Sequence, residues 1–205
     1  METMSVEVPG VEELLTMTTP ARYGDTAPAH ARGGALHLSS VLPAVSSAIG
    51  HPMPTAVHAD PKHLQTALGI PDASSAVVVL ADGLGYWNLN MRLGHAPYLR
   101  SLMNDSVNQR PIATCMPSTT VAAMATFGTG TCPGLTGMTG YTQRNPRNGE
   151  ICQLIAFRNA MPPQELQRQP TIFERLAAQN VRVTSSGLPK FAYSALTQSA
   201  LRGSD

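Results

Sequence analysis

From residue 76 to 81 the chain reads Ala-Val-Val-Val-Leu-Ala, entered through Pro71-Asp72 and left through Asp82-Gly83. A continuous apolar, β-branched run of this length suits a strand covered on both faces, as in a parallel sheet, better than a half-exposed strand, which would alternate. It is the strongest strand signal in the sequence. Helical spacing lies to either side of it. Leu38, Leu42, Val45 and Ile49 predict one short helix, and Lys62 to Leu68 predicts a second that stops at Gly69. Further helical patterns follow at Tyr86–Leu93 and Ala96–Met103, and Val107–Cys115 reads as a return to the sheet. Thr119–Phe127, free of Gly and Pro, predicts a helix, whereas Gly128–Tyr141 carries five glycines and one proline and reads as a loop. Ile151–Phe157 is a weaker strand, Thr171–Gln179 a helix entered from Pro170, and Val181–Ser186 a short strand. This alternation predicts βαβ units in an α/β fold, with a mostly parallel sheet and helices on both faces.

Composition sets limits on this picture. A chain of 205 residues that is 42% hydrophobic buries one sizeable core and is short for two full domains. Residues 1–61 are rich in Pro, Ala, Ser, Thr and Gly, so a flexible leader of about 30 residues is expected, followed by the one short helix, with the folded domain over 62–205. Fourteen basic and thirteen acidic residues leave a formal charge of +1. No run of Lys or Arg offers a footprint for a nucleic-acid polymer or a membrane surface. The three cysteines, Cys115, Cys132 and Cys152, show no CxxC spacing and are expected to be free thiols in a reducing compartment. No apolar stretch of about 18 residues is present, and the start METMSVEVPGVEELL lacks a basic region before an apolar core, so a cytoplasmic location is expected.

Two places carry candidate chemistry. Asp82 directly follows the apolar run, where ligands gather outside the carboxyl ends of strands, and Gly83 and Gly85 leave room for a metal or phosphate at the backbone. Asp also caps helices through its side-chain oxygen, a structural reading of the same position. Pro117-Ser118-Thr119-Thr120 opens the helix that follows it. A hydroxyl at a helix N-terminus sits where backbone N–H groups and the helix dipole favour negative charge, which serves an attacking alkoxide and a phosphoryl oxygen alike. Ser118, Thr119 and Thr120 meet that condition equally, and any of them also suits an N-cap. The glycine-rich Thr126–Gly137 stretch lacks the Lys-Ser/Thr ending of a phosphate-binding Walker loop, so a tight connection between helix and loop is expected there.

Together these segments resemble the N-terminal blocks of the type I phosphodiesterase/nucleotide pyrophosphatase family of the alkaline phosphatase superfamily. The carrying residues are the run from Ala76 through Asp82-Gly83, then Pro117-Ser118-Thr119-Thr120, then Thr129-Gly130-Thr131-Cys132-Pro133-Gly134-Leu135-Thr136-Gly137, with Thr171-Ile172-Phe173-Glu174 as a further block. The resemblance implies an alkaline-phosphatase-like domain that hydrolyses a phosphodiester or nucleotide pyrophosphate through a phosphothreonine intermediate. By it, Thr120 is the nucleophile, and Asp82 and Thr120 contact one of two divalent metal ions, zinc by expectation. The implied partner is a small phosphate ester, with nucleotides among the candidates. Where many relatives have Phe-Pro-Asn-His, this chain has Val121-Ala122-Ala123-Met124, so the phosphate-contacting Asn falls to Asn145 or Tyr141 as replacements. The family's other ligands, two aspartates and three histidines, follow the nucleophile at a distance. Here all six histidines precede residue 96, and the only aspartate after Asp105 is Asp205. The chain is therefore expected to be the incomplete N-terminal part of the domain. Phosphomonoester, sulfate-ester or phosphonate hydrolysis by the same superfamily is the rival chemistry, and an inactive module that binds a phosphate ligand or a partner is the non-enzymatic rival.

Overall fold

The computed structural model describes residues 37–105 and 112–205. The expected leader, and residues 107–111 of the expected strand at 107–115, lie outside the described residues. In chain order the helices and strands are α1 (Val41–Ala48), α2 (Pro61–Leu68), α3 (Tyr86–Asn90), α4 (Pro97–Met103), α5 (Thr120–Thr129), α6 (Pro133–Thr136), β1 (Thr142–Arg144), β2 (Ile151–Gln153), α7 (Pro163–Leu166), α8 (Ile172–Ala177) and α9 (Ala195–Ala200). They fall into two compact units. Among the described residues one unit is 79–105, holding α3 and α4, and the other is 37–78 with 112–205.

Local sequence explains most helix boundaries. Asp60 caps α2 by accepting from the Lys62 and His63 amides at 3.0 and 3.1 Å, and Gly69 closes the helix in the left-handed region at φ 67°. Thr171 and Glu174 form a reciprocal capping box at the start of α8. Glu174 has a second task, since its other carboxylate oxygen accepts from Arg202 Nε at 2.8 Å. Arg202 also donates to the Ser199 and Gln169 carbonyls, while the fully buried Gln167 bonds the same two carbonyls, so the segment around α9 is tied to α8 by paired polar groups.

The core of the larger unit is organised around α5. Val121 and Ala125 pack with Met138, Cys152, Leu154 and Leu196, whereas Phe127 packs with Leu42, Met53, Ile172 and Leu176. One helix thus serves two apolar clusters. Gly128 is the contact that lets α9 approach, because a Cβ there would lie 1.7 Å from the Ala200 carbonyl oxygen. The short helix expected around Leu38–Ile49 is present as a 3-10 turn at Leu38–Ser40 running into α1. The expected loop at 128–141 is shorter than the glycine content suggests, since α5 runs through Gly128 and Thr129 and α6 adds one turn.

The mostly parallel sheet is not formed among the described residues. Their only ladder is the antiparallel β1–β2 pair, with Thr142 opposite Gln153 and Arg144 opposite Ile151. The run at 76–81 has no strand hydrogen bonding, and Val77 and Val79 are 92% and 86% exposed. The segment 181–186 is also not a strand; the backbone there bonds Asp205 instead, through Ser185 N and Val183 O. The reason is that a strand exists only with a neighbour: an apolar run states a demand for burial, and no described segment pairs with 76–81 as a strand.

A buried polar chain crosses the start of this unit. Ser39 Oγ lies 2.9 Å from His37 Nδ1 and 2.8 Å from His58 Nε2. Burial, reinforced by His37 nearby, lowers the His58 pKa from 6.5 to about 4, and burial also lowers that of His37. A folded-state pKa below the unfolded value means that the unfolded chain takes up protons first as the pH falls. The associated stability is therefore complete above the unfolded value of 6.5 and drains away down to about 4. His58 alone accounts for roughly 3 kcal/mol across that window. Urea denaturation at a series of pH values is expected to show this slope, and His58→Gln to flatten it; an unchanged slope in the variant would show that the histidine chain does not govern acid stability.

Candidate functional site

The strongest candidate centre is the N-terminus of α5. The three hydroxyls that the sequence leaves equivalent are separated by geometry. Thr119 is the N-cap, extended at φ −86° and ψ 152°, and its Oγ1 accepts from the Ala122 amide at 3.3 Å. Ser118 precedes the helix and is exposed. Thr120 is the first helical residue, half-buried, and its Oγ1 lies 3.0 Å from the Tyr141 hydroxyl. The capping task therefore falls on Thr119, and the hydroxyl held by a second side chain at the positive end of the helix is that of Thr120.

Tyr141 is fixed from behind. Its carbonyl accepts from the Leu154 amide at 2.7 Å, Leu154 is fully buried, and β1 begins one residue later. Asn145, the other residue considered for the phosphate contact, is buried in the turn after β1. Its amide nitrogen donates to the Asn159 carbonyl at 2.6 Å and its side-chain oxygen accepts from the Arg147 amide at 3.0 Å. Both functions of that side chain are occupied, so only Tyr141 reaches Thr120.

The glycine-rich stretch behind α5 is structural, as expected from its lack of a Walker ending. Gly130 ends the helix at φ 62°, and its carbonyl accepts from Thr55 Oγ1 at 2.8 Å. Thr129 Oγ1 donates to the Ala125 carbonyl and lies 2.7 Å from Thr131 Oγ1. These bonds fasten the C-terminal end of α5 to the loop at residue 55, away from its N-terminus.

Asp82 belongs to the other unit, where it is exposed in a turn with Gly83 at φ 69°. The residue directly before α3 is Gly85, three positions further on, so Asp82 does not occupy the N-cap of that helix. Among the described residues no group of three or more His, Cys, Asp or Glu side chains is placed to hold a metal ion. Asp82 and Thr120 would by themselves offer an ion two protein ligands, fewer than a bound zinc takes from protein. These residues alone do not make a metal centre. Cys115, Cys132 and Cys152 are all free thiols. No described helix is long and apolar enough to cross a membrane.

A match to the type I phosphodiesterase/nucleotide pyrophosphatase family covers residues 76–202. The chain belongs to that family. No curated protein and no solved structure gives a significant match. The family consists of hydrolases of phosphodiester and pyrophosphate bonds, with an alkaline-phosphatase-like α/β fold. The phosphodiesterase region includes Asp82, Thr120 and Tyr141, but α1 and α2 precede it. Of these, α1 helps enclose α5, since Leu42 packs with Phe127.

The division of labour between neighbouring hydroxyls has a measurable consequence. Thr119→Ala removes the cap and is expected to lower unfolding free energy by about 1 kcal/mol. Thr120→Ala, which removes a hydrogen bond between two solvent-reachable hydroxyls, is expected to cost less than about 0.5 kcal/mol. Chemical denaturation of both variants checks this, and a larger loss at position 120 would reverse the two assignments.

Proposed function

We propose that this phosphodiesterase-family chain carries the nucleophilic half of a phosphodiester or nucleotide pyrophosphate hydrolase, with Thr120 as the attacking residue. The observation that supports this reading is the pairing of Thr120 Oγ1 with the Tyr141 hydroxyl at the N-terminus of a buried helix, while Thr119 takes the cap. Thr120 Oγ1 attacks phosphorus; a threonine–phosphate bond forms as the ester P–O bond breaks and the alcohol or nucleotide departs. Water then cleaves the phosphothreonine and regenerates the hydroxyl. The positive end of α5 favours the negative charge that gathers on the attacking and phosphoryl oxygens. Tyr141 holds the threonine hydroxyl in one orientation and offers a hydrogen bond to a phosphoryl oxygen, the task the family resemblance gives to an asparagine.

Asp82 is the one metal ligand we assign to this chain besides Thr120, on the family resemblance. The implied cofactor is a pair of divalent ions, zinc by preference. The described residues do not complete such a site. The reading also includes a reducing, cytoplasmic setting, in keeping with three cysteines that form no disulfide.

The test, in a protein that supplies the family's remaining metal ligands together with this chain, is turnover of bis-p-nitrophenyl phosphate with zinc supplied. Thr120→Ala is expected to lower the rate by about a thousandfold or more, since the nucleophile is gone. Thr120→Ser is expected to retain measurable turnover, and acid-quenched wild-type protein to carry phosphate on Thr120 by mass spectrometry. Tyr141→Phe is expected to reduce kcat by about tenfold with little change in KM. Wild-type rates in Thr120→Ala would move the nucleophile to Ser118. Binding of the diester without any phosphothreonine would instead support the inactive-module reading.

A further inference from the structure

We propose that the larger unit has a second ligand site, for an organic phosphate of nucleotide size, in the surface cleft between the α6 loop, β1 and α7. The cleft has a volume of about 440 Å³, within the range of small-molecule sites, and its walls include Leu135, Gln143, Arg144, Met161, Leu166 and Arg168. It does not depend on the role given to Thr120.

Its chemistry is divided. Leu135, Met161 and Leu166 make an apolar wall, with Leu135 44% exposed although it is a leucine. Two guanidinium groups border that wall, and each is anchored through Nε alone: Arg144 donates to the Gly149 carbonyl at 3.1 Å and Arg168 to the Glu165 carbonyl at 3.0 Å. Anchoring at Nε leaves the terminal N–H groups of both exposed guanidinium groups without a protein acceptor among the described residues. Neither arginine pairs with a carboxylate among the described residues. The single carboxylate lining the cleft, Glu165, is taken by Arg147 in a close ion pair. Gln143 adds to the donor set: its Oε1 accepts from Thr139 at 3.3 Å, which leaves the amide N–H pair for a ligand.

Two positive forks and a free amide beside a soft apolar wall define one kind of ligand. The anionic end must be compact and carry more than one acceptor oxygen, as a phosphate does, and the remainder must be flat or apolar enough to cover leucine and methionine. Inorganic phosphate satisfies only the first condition and a nucleoside only the second.

The probe is adenosine monophosphate, titrated calorimetrically into the 205-residue chain beside adenosine and inorganic phosphate. Adenosine monophosphate is expected to bind about tenfold or more tightly than either fragment, since each lacks one half of the recognition. Arg168→Gln and Leu135→Glu are each expected to weaken it by about tenfold. The second variant leaves both arginines intact and places a negative charge at an exposed position, so loss of binding there does not come from loss of fold. Thr120→Ala is expected to bind normally. Equal affinity for adenosine or for phosphate alone would overturn the ligand class. Loss of binding in Thr120→Ala with none in Leu135→Glu would overturn the second site and place the nucleotide at Thr120, leaving the proposed hydrolase intact.

Discussion

Burial of α5 is the constraint on which the geometry around Thr120 depends. Its side chains face two clusters at once, Val121 and Ala125 toward the β1–β2 side and Phe127 toward α1 and α8. Gly128 presses against the Ala200 carbonyl. A helix held on several sides cannot slide or rotate without breaking one contact to keep another, because packed interiors leave no room for continuous adjustment. Burying a single valine or phenylalanine contributes about 2 kcal/mol, far more than any one surface hydrogen bond. The position of Thr120 is thus fixed by apolar packing several residues along the helix, and the polar contacts at the N-terminus refine an orientation already imposed.

That arrangement accounts for what could be read from the sequence and what could not. Helices α1 to α5 and α8 were legible and α6, α7 and α9 were not; the ends that could be read have local signals, since Gly69 after Leu68 and Pro170 before Thr171 act over a single turn. The capping residue at α5 was not legible, because three adjacent hydroxyls satisfy the same rule and only the boundary itself separates cap from first turn. The mostly parallel sheet is not confirmed by the described residues. A continuous apolar run reports that a segment requires cover on two faces but is silent on what provides it, and strand pairing is a property of two segments. In the described residues Val77 and Val79 remain largely exposed, while Cys152 and Leu154, from a weaker signal, sit fully in the core beside a three-residue ladder.

The cleft at Arg144 and Arg168 illustrates a different limit. Nothing in the linear sequence singles out Arg144 and Arg168; they line one cleft only in the folded chain. Their anchoring carbonyls, Gly149 and Glu165, are likewise visible only in three dimensions. Tyr141 lay between the two cases. Its residue type fitted a phosphate contact and Asn145 fitted it equally; in three dimensions one side chain lies beside Thr120 and the other is buried in a turn with both its donor and its acceptor in use.

The described histidines bear on the same question from the side of the metal. A metal ligand must present a neutral imidazole nitrogen outward, with its second nitrogen held by a partner that fixes the ring. His37 and His58 are buried and joined through Ser39, and each spends a ring nitrogen on that hydroxyl. His51 bonds Gln179 at 2.9 Å. Protonation of His58 is suppressed first by burial and then by His37 nearby. Moving either buried ring toward a metal at the head of α5 would break the Ser39 bridge and leave a buried hydroxyl without its partners, a cost of roughly 1–3 kcal/mol before any ligand bond forms. The histidines that pack the beginning of this unit therefore do not stand in for the ligands that the family places after the nucleophile.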